Sequence, residues 1–159
     1  MNSSTYLISV CPTWADAFFN YRDPKTIELR KGNFGTSLKP GDVIAIYATL
    51  PVGELIGRVR VLKRETLPLD RLWLESKQGQ LAKVSRAQFD DYYASQISGV
   101  GVWVGAAELF PSPIALPQLR QNWGPRWQPP QQLQELSDDQ VMALNIDRRT
   151  LHTNRALRC

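Results

Sequence analysis

Histidine is almost missing from this chain: there is one, His152, among 159 residues. Cysteine is nearly as scarce, with Cys11 and Cys159 near opposite ends. A structural zinc site built from cysteine and histidine needs about four such ligands, so one chain cannot supply it. A Ser-His-Asp triad would have to draw on a histidine in the C-terminal tail, which argues against it. Two lone cysteines outline no disulfide framework and suit a reducing compartment, so the expected location is the cytoplasm. The opening MNSSTYLISVCPTW lacks a basic stretch followed by a long apolar run and does not read as a signal peptide. No stretch approaches the roughly 18 apolar residues of a membrane helix. Neither G-x-x-x-x-G-K-[ST] nor G-x-G-x-x-G occurs, so no phosphate loop is read. No metal, no cofactor and no membrane partner are expected. Chemistry is left to Lys, Thr, Glu, Asp, Arg and Tyr.

What is present is ordinary globular material. Hydrophobic residues make up 43% and charged residues 21%, enough for one domain with a real core. The net charge is +4 and the pI about 9.3. The whole surplus lies in residues 1–130. The tail is balanced but polarised, with Glu135, Asp138, Asp139 and Asp147 before Arg148, Arg149, Arg155 and Arg158. A modest basic excess permits nucleic-acid contact without requiring it.

Along the chain, Tyr6–Val10 reads as a strand. Thr13-Trp14-Ala15-Asp16 resembles a capping box opening a short helix to about Asn20. Thr26–Arg30 alternates as a half-buried strand, with Ile27 and Leu29 on one face and Thr26, Glu28 and Arg30 on the other. Lys31–Lys39 is expected to be a mobile basic loop. Lys39-Pro40-Gly41-Asp42 predicts a turn into a Val43–Ala48 strand. Leu50–Gly53 turns again into a strand over Glu54–Arg64, with Leu55, Val59 and Val61 on one face. Leu67–Lys77 is read as a helix. Ser85-Arg86-Ala87-Gln88 is a capping box for a second helix, which carries Phe89, Tyr92 and Tyr93 on one face. Gly99–Phe110 is read as a strand whose glycines mark a bend or a close backbone approach. The six prolines of Pro111–Pro130 suggest an extended wrap with a helical turn at Leu116–Arg120, packed through Trp123 and Trp127. Ser137-Asp138-Asp139-Gln140 opens a last helix. The domain is placed at 1–135 and a helical extension at 136–159.

The richest segment is Lys25-Thr26-Ile27-Glu28-Leu29-Arg30. It reads either as a solvated strand face with cross-strand ion pairs, or as the polar floor of a cleft. Tyr47-Ala48-Thr49 ends a strand at a turn, where side chains commonly line a site. Arg58 and Arg60 form a row that suits phosphates or a plain charged surface. Trp14 and the other tryptophans suit a core as well as a base-stacking platform.

The order of a Trp14 helix, the Lys25–Arg30 strand, Pro40-Gly41-Asp42-Val43, Ile46-Tyr47-Ala48 and Ile56-Gly57 resembles the ASCH family of the PUA-like superfamily, in its bacterial members. The similarity spans roughly residues 5–135. It implies an α+β fold: a five- or six-stranded, mostly antiparallel β pseudo-barrel with short helices closing its ends, here with a C-terminal helical extension. The family's cleft lies between the first helix and the K-T-x-E-x-R strand and is proposed to bind RNA or modified nucleotides. Lys25, Thr26, Glu28 and Arg30 match that motif, and Glu28 with Arg30 also suits an ion pair that fixes the strand. Some small ASCH proteins are amidohydrolases. This sequence departs from them, with Glu28 in place of the nucleophilic threonine and Leu81-Ala82-Lys83 near the place of a distant acid.

The leading expectation is a module that binds nucleic acid, RNA rather than DNA, or a modified nucleotide. Lys25, Lys31, Arg58 and Arg60 would hold phosphate, and Trp14 and Tyr47 a base. Thr26, Glu28, Arg30 and Thr49 complete the candidate binding residues. The alternative is a nucleoside- or RNA-acting hydrolase, an amidohydrolase or ribonuclease, using Lys25 and Glu28, with Thr26 as a possible nucleophile. A third reading is a protein-interaction adaptor docking through Pro111–Pro130 and the tail.

Overall fold

The computed structural model describes residues 3–144; His152, Cys159 and most of the polarised tail lie outside the described residues. The elements run β1 (Thr5–Val10), α1 (Pro12–Ala17), β2 (Ile27–Arg30), β3 (Val43–Ala48), β4 (Glu54–Pro68), α2 (Leu69–Glu75), α3 (Arg86–Tyr92), β5 (Ser98–Ala115), α4 (Leu116–Trp123) and β6 (Leu133–Glu135). Helical residues 138–144 follow. The strands form one six-stranded sheet in the order β2-β5-β4-β3-β1-β6. It is mixed and curls into a half-barrel: β1 and β3 run parallel, and every other pair is antiparallel. Among the described residues no helix is long and apolar enough to cross a membrane.

The Pro40-Gly41-Asp42 turn sets the parallel pair in register. Gly41 takes a φ of 94°. The buried Asp42 carboxylate accepts the N–H groups of Ser4 and Lys39, each at 2.9 Å. One side chain thus ties the start of β1 to the turn into β3.

Several sequence expectations are corrected. Thr13 does not cap α1. The helix begins at Pro12, with Cys11 at the N-cap and no side-chain cap bond, and it ends at Ala17. Proline's fixed φ suits the first helical turn and moves the start forward. The 31–39 segment is not a free loop: Phe34 and Leu38 are buried in the main core. Arg64 also donates to Phe34 O through Nε at 2.9 Å and Nη2 at 2.8 Å. Residues 65–68, with Leu67, belong to β4, and α2 is shorter than expected. Leu55 does not share a core with Val59 and Val61; it packs in a second cluster with Leu7 and Ile114. The reason is a register shift between Leu55 and Gly57, which turns the strand over. The same irregularity explains how β5 passes the prolines. Gly57 pairs with Leu109 and Leu55 with Ile114, so Pro111 and Pro113 fall where the ladder is interrupted and no amide is needed.

Other expectations hold. The capping box at Ser85 forms in both directions, and so does the one at Ser137. Leu136 and Leu144 are buried with Leu7 and Phe110. At the β5 glycines the close approach is made by side chains rather than backbone, at Gly99 and Gly101 but not at Gly105. A Cβ on Gly99 would lie 2.6 Å from the Tyr93 ring, and one on Gly101 would lie 2.7 Å from the Trp103 ring. Gly57 is tighter, because its Cβ would meet Glu108 O at 2.6 Å as well as the Phe19 ring. Backbone cannot swing aside as a side chain can. Gly57→Ala is therefore expected to cost about 2–3 kcal/mol in urea unfolding, and a loss below about 0.5 kcal/mol would show that β4 relaxes there.

Candidate functional site

The carboxyl end of β1, with α1, β2 and α3, encloses a cleft of about 260 Å³. Its floor is the row read from sequence, but that row is buried and internally paired. Lys25 is 4% and Glu28 7% exposed. Lys25 Nζ donates to Ala82 O at 3.0 Å and lies 3.3 Å from Glu28 Oε1. Glu28 Oε2 accepts from Arg30 Nε, and Arg30 Nη2 is 2.7 Å away. Arg30 Nη2 also donates to Ser9 O at 3.1 Å, and its guanidinium sits 4.7 Å from the centre of the Phe34 ring. Two cations thus flank one carboxylate. Burial lowers the Lys25 pKa from 10.5, and the Glu28 charge opposes that shift. The solvated-face reading is set aside; these ion pairs lie along one edge of the sheet and are shielded from water.

A short loop places these groups by three successive carbonyls. Leu81 O accepts from Thr26 N–H at 2.8 Å and Ile27 N–H at 3.2 Å. Ala82 O takes Lys25 Nζ, and Lys83 O takes Trp14 Nε1 at 3.1 Å. The segment whose lack of an acid marks the departure from the amidohydrolases therefore works through its backbone. It docks β2, Lys25 and the Trp14 ring together.

The opposite wall is α3. Tyr93 contacts both Phe89 and Tyr92 edge to face, with centroids 4.8 Å apart in each case. Tyr93 Oη donates to Arg30 O at 3.0 Å. Tyr92 stays 38% exposed, and Lys31 Nζ lies 4.3 Å from its ring centre. Burial raises the pKa of both tyrosines above 10.0. The cleft is thus an aromatic slot over a buried, net-cationic floor, with one mobile-stemmed lysine at its rim.

Of the residues singled out by sequence, the cleft gathers Trp14, Lys25, Glu28 and Arg30, with Lys31 beside it. Thr26 does not line it; its amide and carbonyl are spent on Leu81 O and Val104 N–H. Tyr47 and Thr49 line a separate recess of about 640 Å³ with Arg120, sharing only Ser9 with the cleft. Tyr47 packs edge-on against Trp127 at 6.4 Å. Arg58 pairs with Glu108 at 3.0 Å, and Arg60 donates to Gly41 O at 2.8 Å; neither lines the cleft. One continuous surface from Lys25 to Tyr47 and Arg58 is therefore not what the fold builds. Ser9, Gln88 and the α3 aromatics were missed as site residues. The aromatic periodicity of α3 was visible, but nothing local says that it faces β2.

Among the described residues no group of three His, Cys, Asp or Glu side chains is placed to hold a metal ion. Nor is a nucleophile assembled from Lys25, Thr26 and Glu28: the threonine lies off the cleft and the lysine is already engaged.

No protein-family model and no curated protein matches the sequence. Solved structures do match. The ASCH protein of Zymomonas mobilis superposes with a TM-score of 0.81 at 27% identity, covering 91% of this chain and 96% of that one. A serine-to-alanine variant of the same protein gives 0.79 at 28% identity, covering 90% and 95%. Human THYN1, in complex with DNA containing 5-methylcytosine, gives 0.57 at 16% identity, covering 92% and 98%; at that identity the likeness is one of fold.

Proposed function

From the ASCH, PUA-like fold that this chain shares with the Zymomonas protein, we propose that it binds nucleic acid by taking one unpaired base into the cleft between α1, β2 and α3. The observation that carries this reading is the pairing of an aromatic slot with a cationic floor. Trp14 and Tyr92 offer ring faces to a planar base, Arg30 adds positive charge beneath it, and Lys31 at the rim lies where the attached backbone would pass. Recognition of unpaired bases combines these two elements. The human neighbour's complex with DNA supports the class of ligand. A single strand, RNA in the first instance, is the preferred form over a duplex, since it presents its bases without the cost of extrusion.

Titration of labelled single-stranded oligonucleotides by anisotropy tests this directly. Affinity is expected to fall about twentyfold between 50 and 200 mM salt for roughly three phosphate contacts. Lys31→Ala should flatten the log–log salt slope by about one contact. A flat salt response in the wild type would contradict the reading.

A further inference from the structure

The capping box that opens α3 leaves one polar group unspent. Ser85 N–H donates to Gln88 Oε1 at 2.9 Å, and Gln88 N–H donates to Ser85 Oγ at 3.1 Å. A backbone N–H can only donate, so the amide oxygen is the atom that must face it. The cap therefore fixes which way round the Gln88 amide sits. Its NH2 group keeps two donors on an exposed side chain, free to meet solvent or a ligand. Gln88 also lines the cleft, one helical turn before Tyr92 and on the wall opposite the Lys25–Glu28–Arg30 floor.

The charged groups of the floor largely satisfy one another: Glu28 takes Lys25 and Arg30, which also donate to Ala82 O and Ser9 O. The hydroxyls of Ser9, Tyr92 and Tyr93 can both donate and accept. The Gln88 NH2 is the lining group that can only donate and has no partner among the described residues to spend its donors on. A base that presents an amino group to it would set donor against donor. A base that presents a carbonyl oxygen would be matched.

We infer that Gln88 is the specificity residue of this cleft: its NH2 donates to a ring carbonyl, so that uracil, with two carbonyl oxygens, is better matched than adenine, which offers only ring nitrogens beside an amino group. This rests on the base-binding reading above, and the experiment separates the two. Short oligouridylate and oligoadenylate are titrated against the wild type, Gln88→Glu and Ser85→Ala, with thermal melts alongside. Glutamate is itself a capping-box residue, so Gln88→Glu keeps the acceptor for Ser85 N–H and removes only the donors. The wild type is expected to prefer uridylate. Gln88→Glu should keep its melting temperature and lose about fivefold in uridylate affinity, with a smaller change for adenylate. Ser85→Ala should lower the melting temperature and preserve the preference. Equal losses for both oligomers in Gln88→Glu would mean a charge effect alone and overturn the inference, as would a wild type that prefers adenylate. Preference lost equally in Ser85→Ala would overturn it too. Binding of neither oligomer by the wild type would defeat the base-binding reading itself.

Discussion

Glu28→Gln should be the most damaging single substitution in the cleft. Glu28 is the only anion between the ammonium of Lys25 and the guanidinium of Arg30, and it contacts both. Its removal leaves a lysine that is 4% exposed with no counter-charge, beside a second cation. Removing one partner of a buried pair costs about 3–5 kcal/mol, far more than the pair's net worth. Replacing both, as in Lys25→Met with Glu28→Leu, removes the orphaned lysine but still leaves Arg30 without its carboxylate. Part of the lost stability should return in that double variant, while nucleic-acid binding stays impaired. Urea unfolding of Lys25→Met, Glu28→Leu and the double measures this as a coupling energy. Additive losses would show that the Lys25 and Glu28 charges act independently.

The same pair sets an alkaline signature. The folded-state pKa of Lys25 lies below 10.5. Between that lowered value and 10.5 the unfolded chain binds more protons, so this group's contribution to stability rises with pH. Tyr93 acts with the opposite sign. Its folded pKa is raised above 10.0, chiefly by burial, so its contribution falls as pH rises past 10.0. Stability measured against pH should therefore climb and then drop in the alkaline range. In Lys25→Met the climb should vanish and the drop remain; a climb that persists would place its origin elsewhere.

Tyr92→Ala should produce the second large effect, this time on binding alone. The ring is partly exposed and contributes little to the core, but it forms one face of the slot and is braced by Lys31. Loss of one aromatic–base stack is worth about 1–3 kcal/mol, or roughly tenfold and upward in affinity. Tyr47→Phe tests only the hydroxyl in the separate recess and should leave affinity within about twofold if that recess holds no base. The two variants measured side by side assign the binding face. A larger effect at Tyr47 would move the site to the recess beside Arg120.

How much of this could be read from the sequence depends on how local each signal is. The Pro40-Gly41-Asp42 turn and the Ser85–Gln88 box are short-range chemistry, and both formed as read. The Lys25–Arg30 row was found because alternation is local, yet its burial was not, since that depends on Ala82, Phe34 and Ser9 arriving from three other segments. The same limit hid α3 as a wall of the cleft. Tyr47 was placed with Lys25 because both follow a family-like motif order. In the fold, β3 lies beside β1, and Tyr47, opposite Ser9 in register, packs into the second core cluster. The Leu55 reversal was invisible because one bulge changes the face of a strand without changing its composition.

The most direct test of the central claim is to find where the base lies. A short thiouridine-containing RNA can be photocrosslinked to the intact protein and the modified residues identified by mass spectrometry. The account predicts adducts on the cleft walls, at Trp14, Phe89 or Tyr92. Adducts confined to the Tyr47–Arg120 recess or to the Arg58–Arg60 face of β4 would contradict it.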